Sequence, residues 1–353
     1  MRSLSATLAW ILIWCLPQAA AASEQKSAAS RLDVRMVTDE PEAVLAILAK
    51  RKAGQPVTEA DWQRLFATEG YVRLKRRERA MQRPFEDEDF RTFVMSDALL
   101  AKAAALEETL GRWKQADLHS AAQRAFAYLP PTATIRAKIY PSIKPRGNSF
   151  VFEVTTDPAI FLYLDPAITS EEFENTVAHE LHHIGFGTGC GSKEEVGTGD
   201  PARAQLLRWT SAFGEGFATL AAMNSPDGHP RPSNRPEQRA EWDKEIARFG
   251  ENQKELDTFF LKIVEGKLAE EETTKQAFGY FGLLGPWYTV GWKMAVTIEK
   301  AYGREKMIES FCDPRQLFAS YNQAVDKTNA ALPKWSEKLV EVATGSRTPT
   351  GAK

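Results

Sequence analysis

Three of the chain's five histidines fall within five consecutive positions, His179-Glu180-Leu181-His182-His183. The run reads H-E-x-x-H, a spacing with chemical meaning on a helix. At 100° per residue, His179 and His183 stand nearly one above the other and can aim at one ion. Glu180 lies about 80° to one side, close enough to reach a water at that ion without ligating it. Two imidazoles and a nearby carboxylate suit zinc.

The flanking residues make this segment a helix with a buried back. Phe173, Val177, Leu181 and Ile184 fall between about 120° and 200° from His179 on the helical wheel. They predict an apolar stripe behind the histidines, which then face a cleft. Pro166, Thr169 and Glu172 supply a start signal. Gly185, Gly187, Gly189 and Gly191 are expected to end the helix and form a flexible rim. They carry no phosphate-loop signature, because no Lys-Ser/Thr follows and no strand precedes. His182 flanks the ligand face on the side away from Glu180. It suits a supporting or substrate-contacting role, with simple solvent exposure as the alternative.

Composition and ends bound the rest. Met1-Arg2, the apolar run from Leu8 to Leu16 and Ala20-Ala21-Ala22 read as a signal peptide over residues 1–22. The expectation is export to the periplasm or beyond. Cys15 follows bulky Trp14, which argues against lipid attachment. No later stretch has the roughly 18–20 apolar residues a membrane span needs. A formal net charge of −2 provides no field for nucleic acid. Cys190 and Cys312 either pair or remain free thiols, and Cys190 is a rival metal ligand seven residues past His183.

The fold class expected is mainly α with a small β-sheet (α+β). Residues 23–37 read as an unstructured lead within an N-terminal helical region, 23–130. Helices are predicted from Asp39 to Lys52, after Thr58, from Glu88 to Lys114 as one long element, and from Asp117 to Tyr128. Arg73 to Arg79 reads as a solvated helical face. After Pro130-Pro131, period-two segments at 134–140, 149–152 and 160–164 predict short strands. Their sheet would precede the histidine helix, with an edge strand available to an extended substrate. Residues 131–345 form the expected catalytic domain, helical again from Pro201, and 346–353 a disordered tail.

A catalytic zinc takes three protein ligands and leaves one position open. Phe186 and Gly189 stand where H-E-x-x-H-x-x-G-x-x-H needs glycine and histidine, which excludes that arrangement. The strongest third ligand is Glu215, on a helix predicted from Pro201 to Asn224. Ser211, Ala212, Ala218, Thr219 and Ala222 share its face and would let that helix come close. Asp200 is the rival, although it also suits the cap of a helix starting at Pro201.

His179 to His183, Glu215-Gly216-Phe217-Ala218 and the run from Gly285 to Gly291 together resemble a bacterial family of zinc-dependent peptidases of the gluzincin type. Asp61-Trp62 to Glu78 extends the resemblance over most of the chain. It implies a gluzincin-like architecture, Glu215 as third ligand and a site lined by the helix of Tyr288. Tyr288 is the candidate donor to a developing oxyanion, with Tyr280 and Tyr163 behind it. Gly285 and Gly291 would let backbone approach the cleft. The expected activity is hydrolysis of a peptide or protein, with one Zn2+ activating water and Glu180 moving the proton. Two alternatives remain: a metal-binding or helical interaction protein without turnover, and a hydrolase of other amides or esters.

Overall fold

The computed structural model describes residues 31–190, 200–230, 235–282 and 284–346. The expected signal peptide lies outside them, as do Gly191 and most of the expected tail. Strand β1 (Leu32–Met36) comes first, then β2 (Ile135–Ser142), β3 (Phe150–Phe152) and β4 (Ala159–Tyr163). The sheet order is β1-β2-β4-β3. β1 and β4 both run parallel to β2, with Leu32 opposite Ile135 and Ile139 opposite Ile160, while β3 is antiparallel to β4. The expected unstructured lead is therefore corrected over Leu32–Met36. Its partner strand lies a hundred residues later, and no local signal announces such a pairing.

Between β1 and β2 run seven helices: α1 (Asp39–Lys52), α2 (Glu59–Phe66), α3 (Glu69–Ala80), α4 (Asp87–Val94), α5 (Asp97–Leu100), α6 (Ala103–Lys114) and α7 (Leu118–Phe126). The single helix expected from Glu88 to Lys114 is three. Ser96 makes one break, since its hydroxyl donates to Phe93 O and accepts from Leu99 N, a local alternative to the helix ladder. The charged run on α3 is only partly a solvated face, exposed at Arg76 and Arg79. Arg73 and Arg77 are buried. Arg73 bonds Tyr140, Glu153 and Asp157, and Arg77 lies over the Phe150 ring. These contacts fasten α3 to the sheet.

Helix α8 (Ser170–Gly189) carries the histidine run. It passes through Gly185 and Gly187 to Gly189, where the sequence predicted its end. A Cβ on Gly185 would stand 2.2 Å from Leu129 Cδ1, and one on Gly189 would stand 2.7 Å from Ala133 Cβ. These glycines let the helix lie close to the chain entering β2. At its end Cys190 is disulfide-bonded to Cys312, with Cα atoms 5.0 Å apart. The bond removes Cys190 from any ligand set.

The remaining helices are α9 (Pro201–Thr210), α10 (Gly214–Met223), α11 (Pro236–Ala247), α12 (Phe249–Val264), α13 (Glu270–Gly279), α14 (Pro286–Tyr302), α15 (Arg304–Cys312), α16 (Leu317–Thr328) and α17 (Glu337–Thr344). A 3-10 turn at Ser211–Phe213 divides the helix predicted from Pro201 to Asn224. Buried side chains form two clusters. One joins the N-terminal helices, the sheet and the back of α8, and the other gathers around α14, with Phe186 packed against both. The histidine helix thus lies at the seam. No helix among the described residues is long and apolar enough to cross a membrane.

Candidate metal centre

Packing orients the histidine helix. Phe173, Val177, Leu181 and Ile184 are all buried, as the stripe requires. The Thr169 hydroxyl caps the helix by accepting from Glu172 N at 3.1 Å. The opposite face then presents His179 and His183, whose side chains keep 15% and 31% of their exposure.

Glu215 comes from the first turn of α10. Its Oε2 lies 3.2 Å from His179 Nε2 and 3.3 Å from His183 Nε2, and the two imidazole nitrogens are 3.1 Å apart. A tetrahedral ion with bonds of about 2.0–2.1 Å separates its ligand atoms by about 3.3–3.4 Å. The three atoms thus form nearly the face such an ion needs. Nitrogen, nitrogen and carboxylate oxygen are also a zinc donor set. Among the described residues, no other trio of histidine, cysteine or acidic groups converges in this way.

Burial pushes the Glu215 carboxyl up, but the two imidazoles overcome it and hold the group well below the usual carboxylate range. Burial lowers His183, and Glu215 more than restores it, so its pKa is raised. The carboxylate is ionised where a cation would sit.

Two glycines set how closely Glu215 and Tyr288 approach. A Cβ on Gly216 would stand 2.0 Å from Trp292 N, and one on Gly291 would stand 2.5 Å from Phe213 O. Helices α10 and α14 therefore cross backbone against backbone. Gly291 brings α14 against α10, and Gly285 packs on the carbonyls of Tyr280 and Phe281. Neither opens backbone to the cleft, which corrects the role expected of them. The crossing sets the Tyr288 ring 6.2 Å from the His179 ring, inclined at 20°.

The cleft is lined by Glu172, Asn175, Thr176, His179, Glu180, Thr219, Ala222 and Tyr288, with Pro230, Gln238 and Leu284 at its sides. No strand residue is among them. Tyr280 packs on Phe259 and Trp287, and Tyr163 lies beside Lys144 and Gly147. Neither lines the cleft. Asp200 accepts from the N–H groups of Ala202 and Arg203 as the cap of α9, and it does not belong to the trio.

His182 is 1% exposed. Its Nε2 donates to Tyr128 O at 3.3 Å, and Phe217 packs edge-on against its ring at 4.4 Å. Burial, together with the nearby His183, lowers its pKa well below the ordinary histidine value. It is a neutral packing residue, neither solvent-exposed nor in reach of substrate.

Asn175 and Thr176 escaped the sequence reading, and Glu172 was read only as part of the helix start. Asn175 had a signal, since it stands four positions before His179 on the same stripe.

A helix-dominated fold with H-E-x-x-H on one helix and a converging carboxylate on another defines a class with a site suited to a divalent metal. The chain belongs to the family described as "Putative zinc dependent peptidase" (DUF5700), whose pattern matches residues 62–330. No curated protein and no solved structure matches it.

Proposed function

We propose that the chain is a zinc-dependent peptidase of the gluzincin type, with one ion held by His179 Nε2, His183 Nε2 and Glu215. The observation that carries this reading is the 3.1–3.3 Å spacing of those three atoms. When bound, the ion supplies Lewis acidity and makes water a nucleophile near neutral pH. Glu180 takes the proton from the attacking water and delivers it to the leaving amine. The Tyr288 hydroxyl donates to the carbonyl oxygen as charge builds there. Both residues line the cleft beside His179, which supports these roles. The Cys190–Cys312 disulfide supports export through the leader over residues 1–22.

The test measures zinc per chain by elemental analysis, beside digestion of a mixed-sequence peptide library. One zinc and cleavage that a chelator abolishes are expected. A zinc-loaded chain that leaves the library intact would reduce the reading to a metal-binding protein.

A further inference from the structure

The cleft runs along the histidine helix. We propose that the Asn175 carboxamide, oriented by Arg124, is its subsite for a backbone oxygen of an extended peptide. The assignment rests on the peptidase reading and refines it. Along α8 the lining residues step away from the trio, from His179 to Thr176, Asn175 and Glu172. Along α10, beyond Glu215, the lining residues are Thr219 and Ala222. Arg124 Nη1 ties the far ends together, donating to Ala222 O at 3.0 Å and Asn175 Oδ1 at 3.5 Å. The two helices therefore run in opposite senses as walls of one trough. Seven residues at 1.5 Å each give a length of about 10 Å. An extended peptide advances about 3.3–3.6 Å per residue, so about three residues fit on this side of the trio.

Asn175 stands one turn from His179, about 6 Å along the axis. That is the reach of the second residue from the reacting bond. A guanidinium only donates, so Arg124 fixes Oδ1 inward and leaves the two Nδ2 protons for the cleft. Nδ2 has no hydrogen-bond acceptor among the described residues. The Arg124 contact is long, so the amide's strong bonds remain to be made. Thr176 and Thr219 spend their hydroxyl protons on Glu172 O and Glu215 O of their own helices. The two Nδ2 protons call for an oxygen acceptor there. That oxygen is either an internal carbonyl or a terminal carboxylate.

The decisive variant is Asn175→Asp, assayed with the library peptide that the zinc-loaded wild type cleaves best. Aspartate keeps the shape and strengthens the tie to Arg124, but it has no proton to give. We expect KM to rise about tenfold or more, with kcat within about twofold and zinc content and melting temperature undiminished. Arg124→Met, which tests the positioning role, should raise KM in wild type but add little in the Asn175→Asp background. Amidating the peptide's C-terminus separates the two oxygens. An internal carbonyl leaves the Asn175→Asp effect in place, whereas a terminal carboxylate makes amidation itself costly in wild type. Unchanged KM for both peptide forms overturns the subsite and leaves the peptidase reading standing. If the zinc-loaded wild type cleaves no peptide, the peptidase reading fails and the subsite with it.

Discussion

Gly216 and Gly291 meet where the helix of Glu215 crosses the helix of Tyr288, with Gly216 Cα 3.2 Å from where a Cβ on Gly291 would stand. A ligand candidate and a catalytic candidate from distant parts of the chain are thereby fixed through one backbone contact. Gly291→Ala would force its methyl to within 2.5 Å of Phe213 O, and backbone cannot yield as a side-chain tip does. We expect a loss of about 1–3 kcal/mol or more in denaturant unfolding, accompanied by weaker zinc binding. A variant as stable as wild type would show that the crossing is looser than described.

Glu180→Gln should bind zinc like wild type and lose hydrolysis by a factor on the order of 10² to 10⁴, the usual contribution of a positioned proton carrier. Metal analysis and peptide cleavage on the same sample check it. Wild-type turnover in the zinc-loaded variant would remove Glu180 from the mechanism.

Ligand and cap separate cleanly. Glu215→Ala should lower zinc affinity strongly in chelator competition. Asp200→Ala should leave affinity unchanged and cost about 1 kcal/mol of stability, as for a lost helix cap. The opposite pattern would move the third ligand to Asp200.

Tyr288→Phe keeps the ring and deletes one donor. If the hydroxyl serves the developing oxyanion, kcat should fall by a factor on the order of 10² to 10³ with KM, zinc content and melting temperature nearly unchanged. An unaltered kcat would make Tyr288 a wall of the cleft and nothing more.

Glu40 carries a pH signature remote from the cleft. Its side chain is 1% exposed, and only one carboxyl oxygen has a partner, Ile143 N at 3.1 Å. Burial raises its pKa well above the ordinary value, the Ile143 N–H opposes the rise, and Asp39 adds to it. A raised native pKa gives stability that is full below the unfolded value and lost as pH climbs through the native one. Glu40→Gln holds the neutral form at every pH. It should melt above wild type at about pH 7–8 and converge with it near about pH 4. Equal melting temperatures at both pH values would show that the carboxyl ionises at no cost.

The histidine helix was legible because everything that defines it is local. The i, i+4 spacing sets His179 over His183, the period of Phe173, Val177, Leu181 and Ile184 selects the buried face, and Thr169 marks the start. Glu215 was legible through the small residues around it. The glycines misled in both places. In sequence Gly185 and Gly189 read as a helix end and Gly291 as open backbone, but these three, like Gly216, mark close approaches, which depend on a neighbour far along the chain. The charged stretch from Arg73 to Arg79 misled in the same way, because its acidic partners arrive with the β3–β4 turn. The sequence by itself determined the histidine helix, its buried face and the donor types of the trio, since each follows from residue type and helical period. Only the tertiary structure decided that β1 completes the sheet, that Cys190 pairs with Cys312, and that Asn175, Thr219 and Tyr288 border one cleft. Those facts depend on which distant surfaces bury one another, and no single stretch of sequence contains both partners.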